Sequence, residues 1–224
     1  MTADVLKWDV GNWSAALPYW ERHGRLADGP LDCLEIGANQ GGLSAWLATH
    51  GHHVLCSDLE RCEAGARPLI ERHGLLENVR FADIDATEIP YENRFDVIIF
   101  KSVLGGVGHN GEIERQRKAV ASMYRALRPG GRLLFAENLS GSGLHKFFRS
   151  TFVRWGNAWR YVTVDEMLDF LRDFSDVKYA TTGVLGTFGR NERQRQMLAS
   201  VDRKVLNTVT PPTWRYIMYG VATK

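Results

Sequence analysis

The chain has 224 residues, of which 44% are hydrophobic and 24% charged, and its formal net charge is +2. These values argue against a disordered or fibrous protein. A net charge this close to zero gives no reason by itself to expect nucleic acid or an anionic membrane as a partner. Because the chain is about one and a half times as long as a common domain, we expect one domain with additional segments.

Cysteine usage and apolar patterning bear on the compartment. Cys33, Cys56 and Cys62 form no CxxC pair, so neither a disulfide framework nor a metal site is expected. The first residues lack the basic region and apolar run of a secretion signal, and no apolar stretch approaches the roughly 20 residues that span a bilayer. We therefore expect a cytoplasmic protein with no membrane span.

Short apolar runs alternate with longer amphipathic stretches from residue 31 onward. The runs predict strands at 31–36, 53–56, 79–81, 95–100 and 132–136. The stretches at 62–73 and 112–127 have helical spacing, and another helix is expected after the glycines that end at residue 42. Strict alternation of this kind indicates right-handed crossovers and an open parallel sheet, with the most apolar run, 95–100, as a central strand.

The two ends of the chain add further elements. After residue 160 the pattern predicts a helix, two strands and a polar helical segment between those strands, at 164–170, 177–182, 216–223 and 191–206. Thr163 is a plausible N-cap for the first of these helices, and Glu166 stands at the capping-box spacing. At the other end, residues 6–20 form an amphipathic stretch that carries three tryptophans.

A glycine-rich turn is expected where the first strand meets its helix, because residues 34–42 read Leu-Glu-Ile-Gly-Ala-Asn-Gln-Gly-Gly. Such a turn lets the backbone approach a ligand closely. Asp58 ends the next strand about 20 residues on, where a carboxylate can accept hydrogen bonds from ribose hydroxyls. Asp85 follows the third strand. Since the carboxyl ends of parallel strands meet at one edge of a sheet, these groups predict a nucleotide-like ligand there.

Two cofactors fit a site of this kind. A dinucleotide fingerprint requires glycine at position 39, which is Asn39 here, so a nicotinamide dehydrogenase is disfavoured. The turn instead resembles the E-x-G-x-x-x-G loop of class I S-adenosylmethionine-dependent methyltransferases. Further matches to that family follow in order at 83–86, 94–100, 127–134 and 216–224.

The resemblance implies a single α/β domain and a definite architecture. The expected sheet has seven strands, mostly parallel and twisted, with an antiparallel last strand and helices on both faces. The additional segments are then an N-terminal flap at 1–25, a helical cap at 141–161 and a helical insertion at 190–207 between the last two strands. The flap either covers the cofactor or packs against the sheet, and the sequence leaves both open.

The resemblance also assigns S-adenosyl-L-methionine as the cofactor and distributes its contacts along the strand ends. The implied cofactor-binding residues are Glu35, Gly37, Asn39, Gly41, Asp58, Leu59, Ile84, Asp85 and Lys101. Among them, Glu35 and the glycines would shape the methionine end, and Asp58 would hold the ribose. Lys101 stands where the family places residues that line the methyl-transfer site, which also makes it a candidate catalytic residue.

Two further residues are candidates for removing a proton from the acceptor. His109 lies on the loop after the fourth strand, and Glu137 ends the fifth. Both positions lie at the expected ligand edge, and histidine and carboxylate side chains are suited to general base catalysis. The competing interpretation is a solvated loop histidine and a structural carboxylate.

Residues 144–161 carry several cations and aromatic side chains but no acid, which suggests contact with the methyl acceptor. Arginines can clamp a phosphate or carboxylate, and aromatic rings can stack on a ring or sugar. The candidate substrate-binding residues are His145, Arg149, Arg154, Trp155, Arg160 and Arg190. The alternative is a helix that buries its aromatic rings and exposes its cations. For the basic group around Arg190 and Arg193, a solvated helix face is favoured.

We therefore expect a methyltransferase that acts on a small acidic, phosphorylated or sugar-like acceptor such as a glycan precursor, with O-methylation favoured. A cofactor-binding scaffold or regulator without transfer is the first alternative. An RNA-directed methyltransferase is the second, and it is disfavoured because no RNA-binding module is apparent. The sequence leaves open whether the chain is a monomer or a homodimer.

Overall fold

The computed structural model describes residues 2–152 and 159–224, apart from the side chains of residues 148–150 and 152. One sheet organises the described chain. Its strands are β1 (Asp32–Ile36), β2 (His53–Asp58), β3 (Val79–Asp83), β4 (Phe95–Lys101), β5 (Leu127–Asn138), β6 (Asp176–Thr182) and β7 (Ile217–Thr223). The spatial order is β3-β2-β1-β4-β5-β7-β6, and β7 runs antiparallel to both of its neighbours. The predicted seven-stranded, mostly parallel sheet with an antiparallel last strand is confirmed.

Helices cover both faces of this sheet. The α-helices are α1 (Thr2–Leu6), α2 (Val10–Trp13), α3 (Ala16–His23), α4 (Gly42–Thr49), α5 (Cys62–Arg72), α6 (Leu104–Val107), α7 (Ile113–Ala126), α8 (Gly143–Phe152), α9 (Val164–Phe170), α10 (Glu192–Val201) and α11 (Asn207–Val209). Short 3-10 turns follow β3 and α6, at Ala86–Glu88 and His109–Gly111. Among the described residues, no helix combines the length and apolarity that crossing a bilayer requires.

The alternation of side chains along β4 divides the core into two halves. Val97 and Ile99 face the half that packs under α3, α4 and α5, whereas Ile98 and Phe100 face the half under α7 and α9. All four side chains are buried. Burial on both faces explains the continuous apolar run that predicted a central strand.

The helix α9 has the bounds that the sequence predicts, and its N-terminus shows the predicted capping box. The Thr163 hydroxyl accepts a hydrogen bond from the Glu166 backbone N–H at 3.2 Å, and the Glu166 carboxylate accepts one from the Thr163 N–H at 2.9 Å. Two of the N–H groups that a helix leaves unpaired at its start are thereby satisfied.

The N-terminal stretch folds into α1, α2 and α3 against one face of the sheet. Trp13 and Trp20 are buried there, and the Trp20 indole N–H donates to the Gly220 carbonyl of β7 at 3.1 Å. α1 also touches the start of α4, since a Cβ added to Gly42 would lie 2.5 Å from the Val5 carbonyl oxygen. The segment thus packs on the sheet and borders the glycine-rich turn.

The connection between β6 and β7 contains the predicted helical segment. α10 continues into a π-helical turn at Asp202–Leu206 and then into α11. Asn191 caps α10 by accepting a hydrogen bond from the Gln194 N–H at 3.0 Å. Ala199 of α10 is buried against Gly11 of α2, so this connection is packed on the N-terminal helices.

Candidate functional site

A cavity of about 610 Å³ lies at the carboxyl end of the strands, between the turns that follow β1, β2, β3 and β4. Its walls are formed by Ile36, Gly37, Asn39, Asp58, Leu59, Ile84, Asp85, Ala86, Ser102, Val103, Gly106, Val107, His109, Asn110, Glu112 and Arg115. The volume lies within the range of roughly 300–1,000 Å³ that is usual for small-molecule sites, and open α/β sheets bind ligands at this edge.

The backbone of the turn after β1 has positive φ values, which glycine adopts readily and asparagine adopts more easily than most other residues. Gly37 and Gly41 have φ values of 68° and 72°, and Asn39 has a φ of 51°. A Cβ added to Gly37 would lie 2.5 Å from Val103 Cγ2, and one added to Gly41 would lie 2.8 Å from the Ala66 Cβ. Both glycines are therefore required by conformation and by close packing, and Asn39 occupies a left-handed position that asparagine tolerates better than most residues.

Asp58 joins this turn to the end of β2. One carboxylate oxygen accepts a hydrogen bond from the Asn39 N–H at 2.6 Å, and the other accepts one from the Leu59 N–H at 2.7 Å. Each oxygen can accept a further hydrogen bond, and the half-buried side chain lies on the cavity wall. Beside it, Leu59 is 60% exposed, which leaves an apolar surface at the cavity for a flat ring.

Asp85 stands across the cavity, at the start of the 3-10 turn after β3. Its Oδ1 accepts hydrogen bonds from the Thr87 N–H and hydroxyl, both at 2.8 Å, and its Oδ2 lies 3.8 Å from Arg115. Partial burial would raise the pKa of Asp85, but the Thr87 hydrogen bonds and the Arg115 charge hold that pKa below its ordinary value. The carboxylate is therefore an ionised acceptor next to the buried Ile84 side chain.

Glu35 lies behind the glycine-rich turn and does not line the cavity. It is buried, and its Oε2 accepts hydrogen bonds from the Ser44 N–H at 2.7 Å and the Ser44 hydroxyl at 2.5 Å. Burial raises the pKa of Glu35 to about 7, against these hydrogen bonds, which lower it. The structure therefore corrects the expectation of direct contact: Glu35 fixes the start of α4 and shapes the site from behind.

Glu137 is likewise enclosed, which corrects its prediction as a catalytic base. Its carboxylate accepts hydrogen bonds from the backbone N–H groups of Val103 at 2.8 Å, Leu104 at 2.7 Å and Asn138 at 2.8 Å. Burial raises the pKa of Glu137 to about 7. The side chain caps the short helix after β4 and does not line the cavity, so it positions Val103 and Leu104 rather than meeting an acceptor.

Lys101 ends β4 on the face opposite to Phe100, under the N-terminal helices. Its Nζ lies 4.6 Å from the centroid of the Trp13 ring. Burial lowers the pKa of Lys101, against the opposing influence of the Glu137 and Glu35 carboxylates. Lys101 is not on the cavity wall, which corrects its prediction as a cofactor-binding and catalytic residue.

His109 is the predicted catalytic residue that the structure does bring to the cavity. It opens the 3-10 turn His109–Gly111, and its side chain is exposed at the cavity wall. An accessible imidazole beside the ligand site is the arrangement that a general base needs.

Arg160 and His145 have internal partners that contradict their prediction as substrate-binding residues. The Arg160 guanidinium donates to Glu166 Oε1 at 2.5 Å and to Gln116 Oε1 at 2.6 Å. His145 is buried, and its Nε2 lies 2.8 Å from the Val184 carbonyl oxygen, which identifies that nitrogen as the donor. Both side chains hold the chain after β5 in place.

Of the remaining predicted substrate-binding residues, only Arg190 has a described side chain. Arg190 is exposed just before α10 and is not on the cavity wall. The side chains of Arg149, Arg154 and Trp155 lie outside the described residues, so their prediction stays a prediction.

The structure adds residues that the sequence did not single out. Arg115, in the first turn of α7, lines the cavity and lies 3.3 Å from Glu112. Trp159 packs against the helix after β4 so closely that a Cβ on Gly105 would lie 1.6 Å from its Nε1. The Gly105-Gly106 pair was a usable signal of such close packing, whereas nothing in the local sequence distinguishes Arg115 from other surface arginines.

Metal binding was not expected, and the described residues contain no group of three or more histidine, cysteine or acidic side chains placed to hold an ion. The cavity wall instead combines three carboxylates, those of Asp58, Asp85 and Glu112, with apolar side chains and a strained glycine-rich turn. This combination suits an organic ligand with a sugar, a flat ring and a polar end.

Comparison with known proteins agrees with this description. Residues 34–135 match the family model described as a methyltransferase domain. The chain is 33% identical over 112 residues to the ubiquinone/menaquinone biosynthesis C-methyltransferase UbiE of Idiomarina loihiensis, with 48% of this chain and 42% of the relative covered. It is 40% identical over 111 residues to the protein of the same name from Methylococcus capsulatus, with 46% and 42% covered. The match thus spans less than half the length of these relatives.

Solved structures extend the likeness to the fold of nearly the whole chain. The Haemonchus contortus phosphoethanolamine N-methyltransferase 2, in complex with S-adenosyl-L-methionine, superposes with a TM-score of 0.68 at 18% identity. The alignment covers 95% of this chain and 52% of that one. Residues 34–135 thus match a methyltransferase domain in sequence, and nearly the whole chain is similar in fold to a methyltransferase whose structure contains S-adenosyl-L-methionine.

Proposed function

We propose that this chain binds S-adenosyl-L-methionine in the cavity and transfers its methyl group to a small-molecule acceptor. The observation that carries the proposal is the hydrogen bond that joins the glycine-rich turn to Asp58. The Asn39 N–H donates to the carboxylate at 2.6 Å, so the turn and the acid form one preformed wall of the cavity. A preformed wall matters because ordering a loop on binding would reduce the affinity.

The residues at the cavity fit the chemistry of this cofactor. Asp58 offers acceptor positions for two ribose hydroxyls, and the exposed Leu59 and buried Ile84 offer apolar surfaces for the adenine. Asp85 offers an ionised acceptor for the adenine amine. Gly37 and Asn39 bring the backbone against the ligand at the remaining end. We therefore assign Gly37, Asn39, Asp58, Leu59, Ile84 and Asp85 to cofactor binding, with Gly41 and Glu35 as supports of the turn.

The cofactor supplies an electrophilic methyl group on a sulfonium, and this chain's own residues align the acceptor with it. Holding the two reactants in line can contribute roughly 7–11 kcal/mol to lowering the barrier. His109 then removes the proton from an acceptor oxygen or nitrogen, since its imidazole is exposed on the cavity wall. A general base of this kind typically contributes a factor of about 10²–10⁴.

We retain an acidic, phosphorylated or sugar-like acceptor as the narrower proposal. The arginine that supports it is no longer Arg160, which the sequence suggested, but Arg115. Arg160 is committed to Glu166, whereas Arg115 lies on the cavity wall with a side chain about half exposed. The curated relatives are named as C-methyltransferases, so transfer to an acceptor carbon is the second candidate. The family match ends at residue 135, before the segments from which we expect acceptor contacts.

Calorimetry with S-adenosylhomocysteine tests the cofactor assignment directly. We expect saturable binding by the wild type and a loss of about 100-fold or more for Asp58→Ala. The matched control is Glu60→Ala, which removes the same charge from an exposed side chain two residues away that does not line the cavity. If both substitutions reduced the affinity equally, the loss of one negative charge would explain the effect and the position of Asp58 would not. Failure of the wild type to bind would contradict the proposal.

Transfer of a labelled methyl group into a small-molecule extract separates an enzyme from a scaffold or regulator. We expect incorporation that His109→Ala reduces by about 10²–10⁴ while leaving cofactor affinity unchanged. Binding of the cofactor without incorporation into any fraction would favour the scaffold. Incorporation that requires added RNA would favour the RNA-directed alternative. A cytoplasmic location also remains our prediction. For the oligomeric state, we expect either a monomer or a homodimer.

A further inference from the structure

An exposed apolar stripe runs along the helical connection between β6 and β7, away from the cavity. Met197, Val201, Val205 and Val209 recur at every fourth position, and their exposed fractions run from 42% at Val201 to 70% at Val209. Trp214 lies beyond the end of α11 and is 53% exposed. Single exposed apolar residues are ordinary, but a row of four along one helical segment is a continuous surface.

The π-helical turn helps to keep this stripe on one side. In a regular α-helix, residues four apart are offset by about 40°, so a row of four would spiral away from its starting face. The wider turn at Asp202–Leu206 works against that drift between Val201 and Val209. Such turns are rare and frequently occur at functional sites.

The inner face of the same segment is fixed to the rest of the protein. Ala199 is buried against Gly11 of α2, and the Arg203 guanidinium donates to the Gly11 carbonyl. Glu192 accepts hydrogen bonds from the Asp9 and Val10 N–H groups at 3.1 and 2.7 Å. The stripe is therefore displayed on a rigid, docked helix and not on a loose extension.

The charges around the stripe are of one sign. The exposed charged side chains between residues 190 and 214 are Arg190, Arg193, Arg203 and Lys204. The two acids of this stretch are engaged by partners within the protein: the partly exposed Glu192 accepts hydrogen bonds from the start of α2 and pairs with Arg195, and the buried Asp202 accepts hydrogen bonds from the N–H groups of Leu185 and Gly186. The chain's net charge of +2 conceals this local separation.

We propose that this face, formed by Met197, Val201, Val205, Val209 and Trp214 with the exposed cations Arg190, Arg193 and Lys204, docks the protein on an anionic lipid surface. A helix with a row of apolar side chains and only basic charges beside it is the pattern that lies in the plane of a membrane interface. Apolar side chains enter the boundary between headgroups and acyl chains, and tryptophan favours that depth. Lysine and arginine side chains near the row reach the lipid phosphates.

A second copy of the chain is a less suitable occupant. Two copies joined through the stripe would each bring the same excess of exposed cations, Arg193 and Lys204 among them, to one interface, and like charges across an interface oppose association. The lipid surface has the complementary charge. This proposal goes beyond methyl transfer and stands or falls independently of it.

Co-sedimentation of the full chain with vesicles tests the proposal. We expect binding to vesicles of equal parts phosphatidylglycerol and phosphatidylcholine and none to phosphatidylcholine alone. Binding should weaken as the salt concentration rises, because the attraction between surface charges is screened. No binding to the anionic vesicles at low salt would overturn the proposal.

Substitutions then locate the binding face. The double variant Arg193→Gln and Lys204→Gln should bind roughly thirty-fold more weakly, since each cation near an anionic surface contributes a factor of about five. The triple variant Met197→Gln, Val201→Gln and Val205→Gln should bind roughly ten-fold more weakly because apolar area is lost. Glutamine is at least as good a helix former as valine, so these variants are expected to fold.

A matched control places equivalent changes elsewhere on the surface. Lys178→Gln with Tyr179→Gln alters an exposed cation and an exposed aromatic side chain on β6 and should bind vesicles like the wild type. Equal binding by the stripe variants and the wild type would overturn the proposal. So would a wild-type dimer in sedimentation velocity that the triple variant converts to a monomer, since the stripe would then be an interface between copies. Retention on immobilised poly-glutamate without vesicle binding would assign the face to an acidic protein instead.

Discussion

Two sets of carboxylates stand at the same edge of the sheet, and their surroundings give them different roles. Asp58 and Asp85 lie on the cavity wall and keep acceptor positions open; Asp58 accepts a hydrogen bond from Asn39 in the turn after β1, and Asp85 accepts one from Thr87 in its own turn. Glu35 and Glu137 are buried behind that wall, where Glu35 accepts hydrogen bonds from the Ser44 N–H and hydroxyl, and Glu137 accepts them from three backbone N–H groups. Position at a strand end therefore does not decide whether an acid binds a ligand. Whether an acid can bind a ligand depends on its burial and on whether its oxygens have free lone pairs.

The contrast has a consequence for protonation. Local hydrogen bonds and Arg115 keep the pKa of Asp85 below its ordinary value, so that acid is charged at neutral pH. Burial raises the pKa values of Glu35 and Glu137 to about 7. The wall acids are suited to accept hydrogen bonds from a ligand, and the buried acids are suited to hold backbone segments in place. The predictions below test this division, from the largest expected effect to the smallest.

Glu137→Ala should lower the free energy of unfolding by about 4 kcal/mol, because three backbone N–H groups lose their acceptor in a buried site. Chemical denaturation measures this change. Glu137→Gln retains an amide oxygen for part of that set and should lose about half as much. If Glu137→Ala kept wild-type stability and only methyl transfer declined, the acid would belong with the catalytic group.

Asp58→Ala should show the reverse pattern. The loss of hydrogen bonds to two hydroxyls should reduce the affinity for S-adenosylhomocysteine by about 100-fold, since bonds to a charged group contribute roughly 1.5–3 kcal/mol each. Stability should change little, because the Asn39 and Leu59 N–H groups are accessible to water. Calorimetry and thermal unfolding together measure both. An unstable Asp58→Ala protein with normal affinity would reverse the assignment.

The pH dependence of stability also distinguishes the buried acids from the acids on the cavity wall. Glu35 has a pKa of about 7 in the folded chain and an ordinary value of 4.5, so folding favours its protonated form. Its contribution to stability is complete below about pH 4.5 and is lost as the pH rises through about 7. Relative to Glu35→Gln, which does not titrate, the wild type should lose on the order of 2–3 kcal/mol across that interval. Urea titrations at several pH values measure the difference, and a constant difference would refute the prediction.

Asp85→Ala should have the smallest effect. One hydrogen bond to the adenine amine should be lost, with about a ten-fold decrease in S-adenosylhomocysteine affinity. Asp85→Asn keeps the oxygen that Thr87 binds and removes the charge, so it should fall between the wild type and the alanine variant. Calorimetry can resolve both steps. Unchanged affinity in both variants would restrict Asp85 to capping its own turn.

Much of the cofactor side of the site was predictable because it depends on local features. The order of strands and turns places Asp58 and Asp85 at one edge, and the glycine-rich turn at 37–41 adopts the positive φ values that its residues favour. The capping box at Thr163 was also predictable, because it involves a spacing of three residues in one helix. Such interactions are completed within one turn of chain or by the common direction of parallel strands.

The assignments that changed depend on which face a strand-end side chain joins and on what packs there. Glu35 lies between Leu34 and Ile36, so the alternation of the strand directs it to the opposite half of the core, under the start of α4. Arg160 was expected at the acceptor, but Glu166, only six residues on, binds it. A nearby acid with the right geometry engages a guanidinium that the sequence shows only as a cation.

By itself, the sequence determined the family's sheet, the strand-end acids and the left-handed glycine-rich turn, since all of these follow from periodicity, turn chemistry and short spacings. Only the tertiary structure decided which carboxylates face the cavity and which cap helices from behind. It also decided that backbone N–H groups engage the two acids of the β6–β7 connection, while Met197, Val201, Val205 and Val209 stay exposed near cations. Those outcomes depend on contacts between residues distant in the chain, and burial and partner geometry exist only once these segments have packed together.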